Sequence, residues 1–364
     1  MNLADLPTPC LVLDRTILRR NIARMAVAVG RHGVALRPHM KTAKSIDVAR
    51  LALQGQPGGI TVSTLAEAEY FAAHGIADIL YAVGITPQKL DQVAKLNAAG
   101  AHVTVITDDP ETASAIAAHP QPPRTVIEID TGESRGGVTP DDDDLLEIAS
   151  RLGPRLAGVM THAGHSYSGR SIGDMVRIAE AERAGVVRAA EILRGAGHAA
   201  PIVSMGSSPT ALHAESLTGV TEVRAGVYMF GDLFQAEIGT NGLDDIAVTV
   251  LTSVIGRRPG RLLVDAGGMA LSKDRSTEAA PRDYGYGLVL DLAGRPLGDA
   301  IVRRAYQEHG VIQRHPGEPT DLHVGDKLRI APNHTCMTAA AHDRYHVIDG
   351  GDPVVAVWPR VNGW

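Results

Sequence analysis

The chain is poor in cysteine, in aromatic side chains and in long apolar runs. Two cysteines among 364 residues are too few for a disulfide framework and are typical of a reducing compartment. Aromatic residues make up 4% of the chain, which argues against a surface on which nucleic-acid bases stack. The formal net charge is −6, which argues against a basic surface for nucleic acid or an anionic membrane. No apolar run reaches the roughly 18 residues that a transmembrane helix needs. We therefore expect a protein that binds neither nucleic acid nor a membrane.

The N-terminal sequence MNLADLPTPCLVLD also lacks a basic segment followed by a long apolar core. This composition predicts that no signal peptide is present, and together with the cysteine count it predicts a cytoplasmic protein. A chain of this length can bury a large core, and one large domain plus a smaller one is the natural expectation.

Short apolar runs alternate with Ala-rich amphipathic segments through the first two thirds of the chain. The runs are Val34–Arg37, Ile60–Ser63, Ile79–Val83, Val103–Thr107, Val126–Asp130, Leu156–Thr161, Pro201–Met205 and Thr221–Val223. Eight runs separated by helices predict an α/β fold, a TIM-like (β/α)₈ barrel over residues 13–235, with a doubly wound sheet as the alternative. Residues 236–364 read as strands broken by Gly, Pro and Asp, which predicts a β-rich C-terminal domain. Residues 1–12 are expected to join that domain.

Lys41 follows the first run, in the segment ALRPHMKTAK. Pro38 disfavours helix at Arg37 and cannot donate into a sheet ladder, so the strand is expected to end there. A lysine just beyond a buried strand lies where α/β folds put their chemistry. Partial desolvation would lower its pKa and free the amine for Schiff-base chemistry. A solvated loop lysine beside Arg37 and Lys44 is the alternative.

Polar residues also follow the later runs. Arg135 lies in DTGESRGG after the fifth run, and His162 and Tyr167 lie in THAGHSY after the sixth. The segments SMGSSPT and VRAGVYMFGD occupy the seventh and eighth positions, where glycines let backbone amides approach a phosphate closely. An ordinary Ser/Gly turn is the alternative for either segment alone. A phosphate site together with a strand-end lysine indicates pyridoxal 5′-phosphate (PLP).

Motifs with one shared order extend over nearly the whole chain: TPCLVLD, RPHMKTAK, DTGESRGGV, THAGHSY, GSSPT, VRAGVYMFGD, VDAGGMALSKD and PNHTC. In this order they resemble the fold-type III PLP enzymes. The resemblance is to the D-serine dehydratase and D-threonine aldolase group, which is related to alanine racemase.

The resemblance implies roles for individual residues. Lys41 would form the Schiff base with PLP and act as acid and base at Cα. Arg135 would hydrogen-bond the phenolic oxygen, His162 would pack on the ring, and Tyr167 would contact the ring nitrogen or the substrate. The implied phosphate-binding residues are Gly206, Ser207, Gly226 and Val227. Arg224 matches the racemase arginine that meets the pyridine nitrogen, a position where the dehydratase and aldolase group often has another residue.

The segment PNHTCMTAAAHDRYHV carries His334 and Cys336, two residues apart. On a strand or extended loop these side chains point to the same side and can share one ion. Imidazole with thiolate suits Zn²⁺, with Mn²⁺ and Mg²⁺ as alternatives. The alternative interpretation is that no metal binds and that the pair is a buried cysteine and a loop histidine. In the family that the chain resembles, dehydratases carry His-x-Cys, and aldolases tend to place Asp where Cys336 stands.

The sequence therefore predicts a PLP- and metal-dependent lyase of the D-serine or D-threo-3-hydroxyaspartate dehydratase type. Such an enzyme eliminates water from a D-β-hydroxy amino acid and gives a 2-keto acid and ammonia. The alternative is a D-threonine-type aldolase that forms glycine and an aldehyde. A non-catalytic PLP-binding protein and an amino-acid racemase fit less well, because neither accounts for the metal pair.

The resemblance further implies a homodimer. Candidates for a second substrate carboxylate are Arg37, Lys273 and Arg275, with plain surface charges as the alternative reading. Asp265 is a candidate either for a site shared in the dimer or for a turn in the core.

Overall fold

A computed structural model describes residues 1–313 and 322–364. The chain forms two compact units. The barrel unit is Arg24–Gly226 with Val361–Trp364, and the strand-rich unit is Met1–Ala23 with Val227–Arg360. The domain limits expected from the sequence, 13–235 and 236–364, stay a prediction.

The chain opens with strand β1 (Cys10–Asp14) and helix α1 (Arg15–Gly30), and eight parallel strands follow in the barrel unit. They are β2 (Ala35–Pro38), β3 (Ile60–Val62), β4 (Asp78–Gly84), β5 (His102–Thr107), β6 (Thr125–Ile129), β7 (Leu156–Thr161), β8 (Ile202–Met205) and β9 (Glu222–Ala225). The ladder order is β2-β9-β8-β7-β6-β5-β4-β3, and a parallel bridge from His39 to Thr61 joins the two end strands. The predicted barrel is confirmed, and the doubly wound alternative is wrong because the sheet closes on itself.

Helices connect the barrel strands. They are α2 (Ile46–Ala52), α3 (Leu65–Ala73), α4 (Leu90–Ala98), α5 (Pro110–Ala118), α6 (Asp143–Leu152), α7 (Ile172–Gly195) and α8 (Ser208–His213). Their starts carry sequence signals: α5 begins at Pro110, and the Asp109 carboxylate accepts the N–H of Thr112 at 2.6 Å. Side-chain caps also begin α3, α6, α7 and α8, whereas α2 and α4 have none. The carboxyl ends of the parallel strands and the loops that follow them share one mouth.

The strand-rich unit contains β10 (Val248–Arg258), β11 (Arg261–Val264), β12 (Leu288–Leu290), β13 (Pro296–Ala305), β14 (Gly310–Gln313), β15 (Lys327–Ala331), β16 (Arg344–Ile348) and β17 (Ala356–Pro359). With β1 they form one sheet in the order β11-β14-β13-β12-β15-β10-β1-β16-β17, and β10 also pairs with β11. Short helices interrupt it: α9 (Leu233–Glu237), α10 (Gly268–Leu271) and α11 (Thr335–Ala339). The predicted β-rich architecture is confirmed.

Asp265 lies within the packing of this unit. Its carboxylate accepts hydrogen bonds from the hydroxyls of Thr8 at 2.5 Å and Thr252 at 2.7 Å, and from the N–H of Ser253 at 2.9 Å. A carboxylate with this many donors ties the N-terminal segment to β10, as a turn in the core would, while the alternative role in a site shared by a dimer stays a prediction. In the part of the chain that the structure describes, no helix has both the length and the apolar character needed to cross a membrane.

Candidate active site

Lys41 lies three residues beyond β2, at the barrel mouth. Its main-chain N–H donates to Nδ1 of His39 at 3.3 Å. Its amine makes no hydrogen bond or ion pair with the described residues, whereas the amine of Lys44 pairs with Glu67 at 3.2 Å. Lys41 is exposed, so the partial desolvation expected from its position is not seen. The amine is free to react with a carbonyl group.

His162 is the residue around which the barrel-mouth side chains gather. It follows β7, and its Nδ1–H donates to the Gly206 carbonyl at 2.9 Å. Burial, then the charge of Lys41, lower the pKa of His162 to about 3 against the opposing hydrogen bond to Gly206, and the charges of Arg224 and Arg135 act in the same downward direction. The ring is therefore neutral at physiological pH, with its proton on Nδ1.

This neutral histidine makes the unliganded protein sensitive to acid. Because the folded pKa lies below the unfolded value of about 6.5, the unfolded chain takes up a proton that folded His162 refuses, and stability falls as the pH drops from about 6.5 toward 3. His162→Gln is expected to reduce this pH dependence. Urea midpoints at pH 7.5 and 5.5 measure it. An unchanged difference between the two pH values in the variant would show that His162 titrates normally.

Tyr167 lies in the turn Gly164–Ser168 after β7, and its ring centroid is 6.5 Å from that of His162. Arg135 is exposed and forms ion pairs with Glu128 and Glu133, each at 3.5 Å. Arg135 follows β6 and His162 follows the neighbouring parallel strand β7, so both lie at the same end of the barrel.

The predicted phosphate segment follows β8. Ser207 caps α8; its hydroxyl shares hydrogen bonds with Ser166 at 2.9 Å and with Thr210 at 3.0 Å. Gly206 has φ +132°, and an added Cβ would lie 2.3 Å from the Arg224 carbonyl oxygen, so only glycine fits. The N–H of Gly206 donates to a carboxylate of α7, and a phosphate role for Gly206 stays a prediction.

Gly226, by contrast, ends the barrel unit directly after β9. An added Cβ there would lie 2.8 Å from the carbonyl oxygen of His39, so β9 and the segment before Lys41 run very close together. Val227, the next predicted phosphate residue, belongs to the strand-rich unit, where it is buried.

Arg224 is 3% exposed on β9 and donates to the Thr161 carbonyl and to the Ser204 hydroxyl. Burial lowers its pKa, while the charge of Glu222 opposes that effect. Ser204 in turn donates to Glu222 at 2.6 Å. A contact of Arg224 with a pyridine nitrogen stays a prediction.

Arg37 continues this polar network instead of offering its charge to a substrate. Its Nε donates to Glu222 at 2.8 Å, and its terminal nitrogens reach Asp78 at 2.9 and 3.1 Å. These partners occupy the guanidinium group, which makes Arg37 a structural residue. The suggested role in binding a second substrate carboxylate is therefore not supported by its contacts.

Arg37→Ala is expected to destabilise the barrel by about 3–5 kcal/mol, because the buried carboxylate of Glu222 would lose the guanidinium group that hydrogen-bonds it directly. Urea unfolding of the wild type and the variant measures the change. Arg155→Ala is the control, because Arg155 is exposed and forms no ion pair within the described residues. A loss below about 1 kcal/mol would show that the buried pair has little net value.

The second cluster lies in the strand-rich unit and is called the His334 cluster: Asp232, Asp274, His334, Thr335 and Cys336. His334 caps α11, and Cys336 lies inside that helix. The expected extended backbone is present at His334 but the expectation is wrong at Cys336, which lies in α11. Asp232 accepts the N–H of Thr335 at 3.1 Å, at the point where the helix begins. The two predicted ligands nevertheless meet, since the His334 ring hydrogen-bonds Cys336.

Nδ1–H of His334 donates to Asp274 at 3.3 Å, so Nε2 is the ring nitrogen that would bind a metal once it has lost its own proton. Burial opposes a charge on His334, but hydrogen bonds with Asp274 and Cys336 outweigh it and raise the pKa to about 11. Burial raises the pKa of Asp274, but its hydrogen bonds with His334 and Ser276 outweigh burial and lower the pKa to about 2. Within residues 1–313 and 322–364 no group of three or more His, Cys, Asp or Glu side chains is arranged to hold a metal. The metal role of the pair stays a prediction.

Sequence reasoning missed several residues of these clusters, and three of them carried a signal in the sequence. His39 carried a signal, since it lies in the Lys41 motif, and Asp274 ends the ALSKD stretch of another motif. Glu182 carried a weaker one: it is a carboxylate on the buried face of α7, between Ala179 and Val186. A charge on an apolar helix face is the pattern that identifies such a residue.

Comparison with known proteins agrees with this architecture. Residues 13–233 match the family model described as alanine racemase, N-terminal domain, and residues 247–348 match a putative serine dehydratase domain. The chain belongs to the alanine racemase N-terminal domain family. The family predicted from the motifs is confirmed, and the second match adds the dehydratase-type domain.

Among relatives in this family, the chain is similar to D-threo-3-hydroxyaspartate dehydratase of Delftia sp. (strain HT23), 45% identical over 100% of this chain and 99% of the other. A solved structure of that enzyme superposes with a TM-score of 0.96 at 100% coverage of both chains. D-serine dehydratase of Dictyostelium discoideum is 32% identical, over 99% of this chain and 98% of the length of that enzyme. Further solved structures of D-threo-3-hydroxyaspartate dehydratase are a histidine-to-alanine mutant and a cysteine-to-alanine mutant in the metal-free form, both with TM-scores of 0.96.

Proposed function

We propose that this protein is a PLP- and divalent-metal-dependent dehydratase that converts D-threo-3-hydroxyaspartate or D-serine into a 2-keto acid and ammonia. The observation that carries the proposal is the contact between the imidazole of His334 and the thiol of Cys336. The 45% identity to a D-threo-3-hydroxyaspartate dehydratase over the full length of both chains supports it. Further support comes from the mutated histidine and cysteine of that enzyme, which are two positions apart, as His334 and Cys336 are.

The barrel-mouth residues fit PLP. The amine of Lys41 is free for the cofactor aldehyde, and the neutral ring of His162 offers a flat surface for its pyridine ring. The buried hydroxyl groups of Ser207 and Thr210 are donors suited to a phosphate. We assign Arg135, Tyr167, Gly206, Arg224, Gly226 and Val227 to the same cofactor site as predicted.

The donor set of the His334 cluster fits a borderline ion. One imidazole nitrogen and one thiolate favour Zn²⁺ over Mg²⁺, which prefers oxygen ligands. Asp274 accepts the proton of Nδ1 and orients the ring, so Nε2 would be the nitrogen that binds a metal. We therefore propose zinc, with Mn²⁺ and Mg²⁺ as the alternatives that metal analysis would reveal.

Bound PLP supplies an electron sink for Cα, and a bound divalent ion supplies a Lewis acid for the β-hydroxyl group. In the reaction Lys41 Nζ removes the α-proton of the substrate. His162 is held by its hydrogen bond to the Gly206 carbonyl and would offer its neutral ring to the cofactor. His334 and Cys336 would hold the ion, and Asp274 orients His334.

Product analysis tests the function. The purified protein with PLP and Zn²⁺ is given D-threo-3-hydroxyaspartate, D-serine and D-threonine separately, and products are identified by mass spectrometry. A 2-keto acid with ammonia is expected, and a chelator should abolish both products. Glycine with an aldehyde would instead establish an aldolase, and unreacted substrate with stably bound PLP would support a cofactor-binding protein.

We also propose a cytoplasmic homodimer. The thiol of Cys336 must stay reduced to bind a metal, which suits a reducing compartment. The homodimer follows from the family resemblance, and light scattering coupled to size-exclusion chromatography tests it through the mass of the eluting species.

A further inference from the structure

Glu182 is a buried carboxyl group of the barrel unit that the proposed mechanism does not use. Its exposure is 0%. It lies on α7, on the face that also buries Ala179 and Val186. Burying an ionisable group is unfavourable unless its partners compensate, so its contacts indicate its role.

Two loops meet at one oxygen of this carboxyl group. Oε1 accepts the N–H of Ala163 at 2.9 Å and the N–H of Gly206 at 2.9 Å. Ala163 directly follows His162 after β7, and Gly206 directly follows the neighbouring strand β8. Glu182 therefore ties together the loop of the ring-packing histidine and the loop that precedes Ser207.

A second contact closes this arrangement from the other side. The carbonyl of Gly206 accepts Nδ1–H of His162 at 2.9 Å, so Gly206 is held at its N–H by Glu182 and at its carbonyl by His162. Burial raises the pKa of Glu182, and the Thr210 hydroxyl of α8, the two main-chain N–H groups and the charge of Arg224 oppose that rise. The main-chain hydrogen bonds to Oε1 thus come from the two predicted cofactor loops, whereas Oε2 is buried without a hydrogen-bond partner among the described residues.

We propose that Glu182 is a positioning residue that sets the geometry in which the loops after β7 and β8 receive the phosphate of PLP. The inference rests on the proposed function, since it takes PLP as the ligand. Glu182 itself touches no cofactor atom; it acts through Gly206, Ala163 and Thr210. Without its oxygen, two buried N–H groups lose their acceptor, and the Ser207 hydroxyl is no longer held in register with His162.

The test compares PLP with pyridoxal, which has the same aldehyde and ring but no phosphate. Dissociation constants for both are measured on the full-length apoprotein by absorbance titration. Glu182→Ala is expected to raise the dissociation constant of PLP by roughly 10- to 100-fold and that of pyridoxal by less than about threefold. Glu182→Gln keeps an acceptor oxygen and should stay within about threefold of wild type for both. Glu191→Gln, an exposed glutamate of the same helix, is the matched control.

A spectroscopic readout accompanies the titration. The ³¹P chemical shift of bound PLP should change in Glu182→Ala and should equal the wild-type value in Glu191→Gln. If Glu182→Ala does not fold, Glu182→Asp replaces it: the shorter side chain cannot reach both N–H groups, and PLP should weaken at least about fivefold with pyridoxal unchanged.

The outcomes separate this inference from the proposed function. A wild-type protein that binds no PLP would overturn the proposed function and the inference with it. A wild-type protein that binds PLP, with variants in which both ligands weaken equally or neither does, would overturn the positioning role alone. A selective loss of PLP binding supports both.

Discussion

Lys41→Ala is expected to lower the dehydration of a D-β-hydroxy amino acid by at least about 10³-fold. The change removes both the covalent attachment point for PLP and the base that takes the α-proton. Lys41 is suited to these roles because its amine has no partner among the described residues, and Lys44, nearby in sequence, is held by Glu67. Keto-acid release gives the rate. Mass spectrometry after borohydride reduction shows whether PLP has become covalently attached.

The controls for this prediction separate chemistry from charge. Lys41→Arg keeps a positive charge but provides no amine nucleophile, so it should be as inactive as the alanine variant. Lys95→Ala removes an exposed lysine on α4 and should leave turnover and labelling unchanged. Attachment of reduced PLP at another lysine, or wild-type turnover in Lys41→Ala, would show that Lys41 is the solvated loop residue of the alternative interpretation.

Loss of the thiol at position 336 is the second large effect. Cys336→Ala should reduce bound zinc from about one per chain to less than about 0.1, because the imidazole of His334 would remain as a lone predicted ligand. Activity should fall by about 10²-fold or more, since the β-hydroxyl group then leaves without a Lewis acid. Elemental analysis and keto-acid release measure the two effects. Chelation of the wild type, followed by zinc, should reproduce the loss and reverse it.

Cys10 provides a matched control. It is buried in β1, and burial raises the pKa of its thiol to about 11, so it does not supply a thiolate at neutral pH. Cys10→Ala should keep full zinc content and activity. Asp274→Asn should bind zinc about 10- to 100-fold more weakly than the wild type but more tightly than Cys336→Ala, because His334 loses the acceptor that orients its ring. Full metal content in Cys336→Ala would return Cys336 to a packing role.

The barrel and many of its mouth residues were predictable from the sequence. Each apolar run became a strand because alternating runs and amphipathic segments specify βα units locally. Lys41 and His162 follow such runs directly, and parallel strands bring their carboxyl ends to one mouth. The prediction of a strand or extended loop holds for the backbone of His334 and was wrong for Cys336, because α11 begins at Thr335, whose N–H donates to the side chain of Asp232 far away along the chain.

The sequence by itself determined the family, the order of strands and the residues that end them, because these depend on local periodicity and on motifs. Only the tertiary structure decided which distant groups meet. Asp274 reaches His334 across 60 residues, and Arg37 is committed to Glu222 instead of being available to a substrate. Glu182 reads as an unfavourable charge on a helix until its contacts to Ala163 and Gly206 are known. Hydrogen bonds and ion pairs depend on distances of about 3 Å between remote atoms, and a local pattern does not specify them.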